Sequence, residues 1–189
     1  GGVGKNALMH RVMPRFDRLH QLPTATTRAP RSGEQHGRER LFVSLDTFMQ
    51  MVATNALVEH EEVHPGKWYG VPRALVEEAL CAGEDLIADI EIAGAEKVYA
   101  AYPANTVLIF IAPPSLKALE ARMEQRGETE AGIAERLARA ERELNFKDRC
   151  QYVIINDVFE TAAAQLCAAI AAERTARDHT VAQPALREG

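Results

Sequence analysis

Gly1-Gly2-Val3-Gly4-Lys5-Asn6 opens the chain and decides how the rest is read. A Gly-rich turn that ends in Gly-Lys and enters an apolar-periodic helix is the second half of a phosphate-binding loop. The full pattern is Gly, four residues, Gly-Lys, then Ser or Thr. Glycine lets backbone N–H groups approach a phosphate, the Lys adds a point charge, and the helix N-terminus adds a favourable dipole. Two features depart from the pattern. Its first Gly, and the strand that feeds such a loop, would precede residue 1, and Asn6 stands where a hydroxyl belongs. The expectation is a natural protein with roughly ten more residues upstream, enough for a strand and a turn, or else an impaired chain. A Gly-rich end with no structural meaning is the competing reading.

Outward from the loop, Leu8, Val12, Phe16 and Leu19 recur at helical spacing, with Pro14 set to end or kink the helix. The polar stretch Thr24–Glu34 reads as a turn-rich loop, and Leu41-Phe42-Val43 as a short strand. Ser44 suits the N-cap of a helix carrying Leu45, Phe48, Met49 and Val52. Ala56 to Val63 reads as a strand, Pro65-Gly66 as a turn, and Pro72 to Gly83 as a helix with a glycine stop. The pattern then changes. Leu86–Ile90, Thr106–Ile111 and Tyr152–Ile155 are short, nearly continuous apolar runs, the signature of strands buried on both faces. Helical stretches separate them at about 93–101, 115–125 and 131–146, and a last one follows at about 159–174. Strands alternating with helices predict an α/β parallel sheet with right-handed crossovers. From about 175 the chain reads as a frayed tail.

Composition bounds the function. The chain has 189 residues and a net charge of −5, which disfavours nonspecific nucleic-acid binding. No apolar run reaches membrane-span length, and no basic-then-apolar signal opens the chain. Cys81, Cys150 and Cys167 are scattered, lack zinc-ligand spacing and suit a reducing cytoplasm; each reads as a small buried apolar residue.

Three groups carry chemistry. Arg28 and Arg31, with Glu34, place two guanidinium forks three residues apart, able to hold one phosphate or simply to form a solvated basic turn. Glu59 sits beside Leu57 and Val58 in a strand. Facing a pocket, its carboxylate would accept from the N1–H and 2-amino edge of guanine; facing water, it is an ordinary surface Glu. Arg122 and Arg126 share a helix face, Gly127 interrupts, and a second helix brings Arg136 and Arg139. Arginines on two arms of a Gly hinge suit a lid over phosphates, where charge must be offset and water excluded. Salt-bridged surface helices, with Glu120, Glu124, Glu135 and Glu143 as partners, are the alternative.

Thr26-Thr27-Arg28-Ala29-Pro30-Arg31-Ser32-Gly33-Glu34, then Gly37 and Phe42-Val43-Ser44, resembles the acceptor-site signature of guanylate kinase. So do Trp68-Tyr69-Gly70, Asp89-Ile90-Glu91, Ile111–Leu116, Arg126-Gly127 and Ile155-Asn156-Asp157, in the same order from residue 1 to about 173. The resemblance implies a P-loop nucleoside-monophosphate kinase fold: a parallel sheet flanked by helices, a small GMP-binding lobe and a helical lid. The core would span about 1–21, 83–121 and 143–174, the lobe about 22–82 and the lid about 122–142, all within a domain of about 1–174 followed by a flexible tail over 175–189. The reaction would be ATP plus GMP giving ADP plus GDP, with Mg²⁺, in a cytoplasmic monomer or small homo-oligomer that binds neither nucleic acid nor membrane.

The resemblance also implies roles. Gly2, Val3, Gly4, Lys5 and Asn6 would cradle the ATP phosphates, with Asn156 near adenine. Arg28, Arg31, Arg40 and Tyr69 would meet the GMP phosphate, Thr24 and Glu59 would read guanine, and Glu34 and Glu91 would shape the acceptor site. Lys5, Arg28, Arg122, Arg126 and Arg136 would offset charge in phosphoryl transfer, and Asp89 with Asn6 would touch Mg²⁺ through water. Departures from the family pattern are Arg40 for Tyr, Val71 for Ser or Thr, Glu91 for Asp, Asn6 for a hydroxyl, and a turn one residue longer at Pro65-Gly66-Lys67. Two other functions fit the same fold: a catalytically silent relative that binds a peptide in the acceptor groove, and a kinase for another acceptor such as a ribose bisphosphate. Lys5 and the lid arginines favour catalysis over the first, and Glu34 and Glu59 favour GMP over the second.

Overall fold

In the computed structural model residues 3–125, 127–144 and 146–181 are described, in two compact units. One unit takes in Gly1–Arg15 and Ile109–Gly189. In it, α1 (Lys5–Val12) passes into a single 3₁₀ turn at Met13–Arg15, as Pro14 demands. Strands β7 (Ile109–Ala112) and β8 (Tyr152–Ile155) pair in parallel through the crossover helices α5 (Leu116–Glu124) and α6 (Glu130–Leu144). Ser115 caps α5 by accepting from Ala118 N–H at 3.0 Å. Between the two helices, Gly127 adopts φ +72°, a left-handed conformation that stops the helical path. Val3, Leu119, Met123 and Ile133 form the core, with Ile111, Leu137 and Ala140 against it. The last helix, α7 (Phe159–Val181), packs on α1. Its Ala162, Ala163, Leu166 and Ala169 are buried, as are Leu8, Met9 and Val12 of α1. A two-pronged Arg11–Glu160 pair, at 3.2 and 3.0 Å, ties the two helices at the surface.

The other unit is Phe16–Leu108. Strand β1 (Leu19–Gln21) pairs in parallel with β6 (Asp85–Ile87). A four-stranded mixed sheet follows the order β3-β2-β5-β4, from Arg40–Phe42, Thr24–Thr26, Lys67–Pro72 and Leu57–His64. Helix α2 (Leu45–Ala53) opens where Ser44 accepts from Thr47 N–H at 3.1 Å. Helix α3 (Arg73–Ala82) is stopped by Gly83 at φ +64°, and α4 (Ile92–Ala101) packs on β4. One face of the four-stranded sheet is the core: Ala25, Leu57 and Phe48, with Leu41, Val43, Met51, Val52 and Trp68.

Several expectations need revision. The stretch before Arg28 is not all loop: Thr24–Thr26 is a buried central strand, because both its neighbours supply backbone partners. Leu19 belongs to a strand, not to the first helix. The apolar runs are not buried on both faces. Val153 and Ile155 are 46% and 55% exposed, since β8 has a single strand partner among the described residues. None of the three cysteines is buried: Cys81 is exposed and the other two are half-buried. Helix α7 continues past 174 to Val181; the rest of the expected tail, 182–189, lies outside the described residues.

Candidate functional site

Start with the face of the four-stranded sheet opposite the core. Side chains directly paired across strands share a face. Thr24 pairs with Arg40, Ala25 with Gly70, and Glu59 with Val71. One step along the antiparallel ladder from Ala25–Gly70 sets Thr24 beside Val71, so Arg40, Thr24, Val71 and Glu59 form one row across four strands. The next row is Phe42, Thr26, Tyr69 and Glu61. Glu59 reaches this face through a bulge. Leu57 pairs with Pro72 and Glu59 with Val71, so an extra residue between them turns Leu57 to the core and Glu59 to the other side.

Glu59 is 6% exposed, and no hydrogen-bond partner for its carboxylate is present among the described residues. Burial raises its pKa to about 7, Lys97 opposes the shift and Glu61 adds to it. Gly94 in the first turn of α4 makes the space: a Cβ there would lie 2.8 Å from Glu59 Oε2. Sequence reading overlooked Gly94, although a Gly inside a helical pattern signals such a packing need. Thr24, at 4% exposed, accepts a hydrogen bond from Arg40 Nη1, and the Arg40 guanidinium carbon lies 5.8 Å from the Tyr69 ring centre.

The loop after β2 holds the second arginine. Arg28 grips Glu34 with both prongs, Nη1 to Oε2 and Nη2 to Oε1, each at 2.8 Å. Nη1 also donates to Ala29 O at 2.7 Å, and Arg31 N–H donates to Glu34 Oε2 at 2.7 Å. The guanidinium lies 5.6 Å from the Phe42 ring centre, with Tyr69 also beside it. Its Nε is buried without a partner, a donor that an anion would satisfy. Glu34 is therefore spent on fixing Arg28, which lowers its pKa from 4.5 to about 2. Arg31 is exposed beside this pair. Glu91 is the N-terminal boundary of α4, and Asp89 precedes it in a half-buried loop.

A stability prediction follows from Glu34. Its folded pKa lies below the unfolded one, so its stabilisation is complete above pH 4.5 and is lost as pH falls toward about 2. Discounted for solvent screening at this partly exposed pair, the contribution is on the order of 1 kcal/mol. Urea unfolding between pH 5 and 2 is expected to show this loss in the wild type and a shallower slope in Glu34→Gln. Equal slopes would contradict the pairing.

In the other unit, Gly4 caps α1 at φ +88°, and the half-buried Lys5 is the helix's first residue. Asn6, one step on, is exposed. Asn156, at 5% exposed, donates from Nδ2 to Val3 O at 2.6 Å and from its backbone N–H to Ala112 O at 2.8 Å. It thus clamps the loop from the end of β8. A Cβ on Gly4 would sit 2.6 Å from that same amide nitrogen, so the position requires glycine both for its φ and for the contact. Arg122 of α5 donates to Asn156 O at 2.9 Å and to Asp157 O at 3.4 Å. Gly2 and Arg126 lie outside the described residues, as does the side chain of Arg136, whose backbone is on α6.

Comparison with known proteins gives the family. Residues 1–173 match the guanylate kinase family. The chain is 42% identical to the guanylate kinase of Caulobacter vibrioides over 177 residues, 93% of this chain and 83% of that one. It is 41% identical to the guanylate kinase of Ralstonia nicotianae over 174 residues, 92% and 78% of the two chains. The crystal structure of guanylate kinase from Anaplasma phagocytophilum superposes with a TM-score of 0.72 at 30% identity, covering 91% of this chain and 80% of that one. Over nearly its whole described length, this chain belongs to the guanylate kinase family.

Proposed function

We propose that the residues described above divide the work of one reaction. The protein is a nucleoside-monophosphate kinase that converts ATP and GMP to ADP and GDP. A GMP phosphate oxygen attacks the γ-phosphorus of ATP, the bond to the β–γ bridging oxygen breaks, and ADP leaves. The attacking oxygen is already anionic, so no side chain need act as a strong base. Catalysis is positioning plus charge stabilisation. Gly2, Val3, Gly4, Lys5 and Asn6 hold the ATP phosphates, with Asn156 keeping the loop in place. Arg28 and Arg31, with Tyr69 and Arg40, hold the GMP phosphate. Thr24 and Glu59 read the base, and Glu34 and Glu91 shape that site. Arg122, Arg126 and Arg136 come from the lid over about 122–142, and the lobe over about 22–82 carries the acceptor.

Asn6 and Asp89 would face Mg²⁺ through its water shell. Asn6 is exposed and Asp89 half-buried, and each offers an oxygen of the hard type that Mg²⁺ takes. Among the described residues no cluster of three His, Cys, Asp or Glu builds an all-protein cage, and Mg²⁺ is commonly held by substrate phosphates and water instead. When bound, the ion would supply positive charge that offsets the nucleotide phosphates. We further propose a cytoplasmic monomer or small homo-oligomer with no nucleic-acid or membrane partner; no described helix is long and apolar enough to cross a membrane.

The observation that carries the acceptor assignment is Glu59, a buried carboxylate with room left for it by Gly94. Only its ionised form can accept from both N1–H and the 2-amino group. With a pKa of about 7, the ionised fraction falls about tenfold per pH unit below that value. Guanosine has no phosphate to titrate. Its inhibition constant against GMP is therefore expected to fall as pH rises from 5.5 to 7.5, then level off. A flat profile would remove Glu59 from the base site.

A further inference from the structure

We propose that Arg122 is a positioning residue for nucleotide binding: it holds Asn156 at the end of β8, and through the Asn156 side chain it sets where the phosphate loop stands. The inference rests on the proposed reading of Val3, Gly4 and Lys5 as part of the cradle of the ATP phosphates. The family resemblance implies a different part for Arg122, a share in offsetting phosphate charge.

A guanidinium is a planar fork of donors with no acceptor. Arg122 spends two of its donors on consecutive carbonyls just past β8. Nη1 donates to Asn156 O at 2.9 Å and Nη2 to Asp157 O at 3.4 Å. The backbone of Asn156 is thus held from both sides. Its N–H donates to Ala112 O at 2.8 Å, which carries the β7–β8 ladder one step beyond Ile155. Its C=O is held by Arg122, with a charged donor that makes the stronger kind of hydrogen bond.

From that fixed backbone the Asn156 side chain reaches the loop. Nδ2 donates to Val3 O at 2.6 Å, and both residues are buried. Gly4 follows with no slack, since a Cβ there would lie 2.6 Å from the same nitrogen. A shift of Asn156 therefore passes to Val3 and Gly4, and Lys5 opens α1 directly after them. Helix α5 meets the loop by a second route. Leu119 and Met123, three residues before Arg122 and one after it, share a side of the helix with it. Both are buried in one apolar cluster with Val3. The apolar pair sets α5 against Val3, and Arg122 carries that placement to Asn156. Backbone N–H groups bond a phosphate oxygen over a narrow range, about 2.7–3.2 Å. A displaced loop would then lose affinity for every nucleotide phosphate, not only for the one transferred.

The test measures the Kd for ADP by calorimetry, with kcat, the KM for GMP and Tm, in wild type, Arg122→Met, Arg122→Lys, Asn156→Ala, Lys5→Met and the Arg122→Met/Asn156→Ala pair. Arg122→Met is expected to weaken ADP about tenfold, the worth of roughly one hydrogen bond to a charged group, and to leave the KM for GMP within about twofold. Arg122→Lys, whose ammonium still donates to a carbonyl, is expected within about threefold of wild type. The double variant is expected to bind ADP no more than about twofold worse than Asn156→Ala alone, since both act through one side chain. If the Met variant does not fold, Arg122→Gln takes its place in each comparison. A lower kcat with ADP affinity intact is the result of a direct charge role and overturns the inference. So do losses that multiply in the double variant, and so does a lower Tm with ADP affinity intact. ADP affinity unmoved by Lys5→Met and Asn156→Ala as well would overturn the underlying reading of the loop.

Discussion

Glu59→Ala is expected to reduce kcat/KM for GMP by about 10³-fold or more while leaving ATP affinity within about twofold. Sites built to pair a substrate's polar edge reject a mismatch by as much as about 10⁴–10⁵. The substitution creates such a mismatch from the protein side. Two guanine N–H groups would enter a buried pocket with nothing to accept them, and each unmet donor costs about 1–3 kcal/mol. Glu59 is 6% exposed, and Gly94 packs so near its carboxylate that a Cβ there would lie 2.8 Å from Oε2. Water is a poor substitute there. Steady-state kinetics with varied GMP, together with an ATP-analogue titration, checks both halves. Unchanged GMP kinetics would refute the role given to Glu59.

Lys5→Met is expected to act on the other substrate. It keeps side-chain length and removes the charge, so kcat is expected to fall by about 10²–10³, the usual cost of losing one preorganised group at developing charge. The KM for GMP is expected to stay within about threefold. The structural reason is local. Lys5 begins α1 directly after Gly4, and that turn is held by Asn156 Nδ2 on Val3 O at 2.6 Å. Single-turnover rates at saturating ATP would separate a chemical defect from weaker binding. A variant with normal turnover would remove Lys5 from the phosphates.

How much of this could be read from residues alone differs by feature. The Ser44 cap, the Gly83 stop and the β7 to β8 crossover follow from local rules, and the structure has them. Thr24–Thr26 escaped because its polar residues argue for a loop; a central position between two strands overrides that propensity. The helix through Val181 escaped because apolar periodicity fades after about 174 and Thr175, Asp178, His179 and Thr180 are weak helix formers. At the site, the arginine–glutamate group was legible as spacing, but the two-pronged Arg28–Glu34 grip was not. Glu59 is the clearest case. Strict alternation would put it on the same face as Leu57, and only the bulge between them sends it to the polar face. The Asn156 clamp on Val3 joins positions 153 residues apart, and no local pattern announces it.

The most direct measurement is ADP release by the purified protein with ATP and Mg²⁺ against GMP, AMP, UMP and a ribose bisphosphate, with GDP quantified alongside. GMP-dependent ADP release is expected with one GDP formed per ADP, and turnover of the other acceptors at least about 100-fold slower. Faster turnover of another acceptor, or GMP binding without any GMP-dependent ADP release, would contradict it.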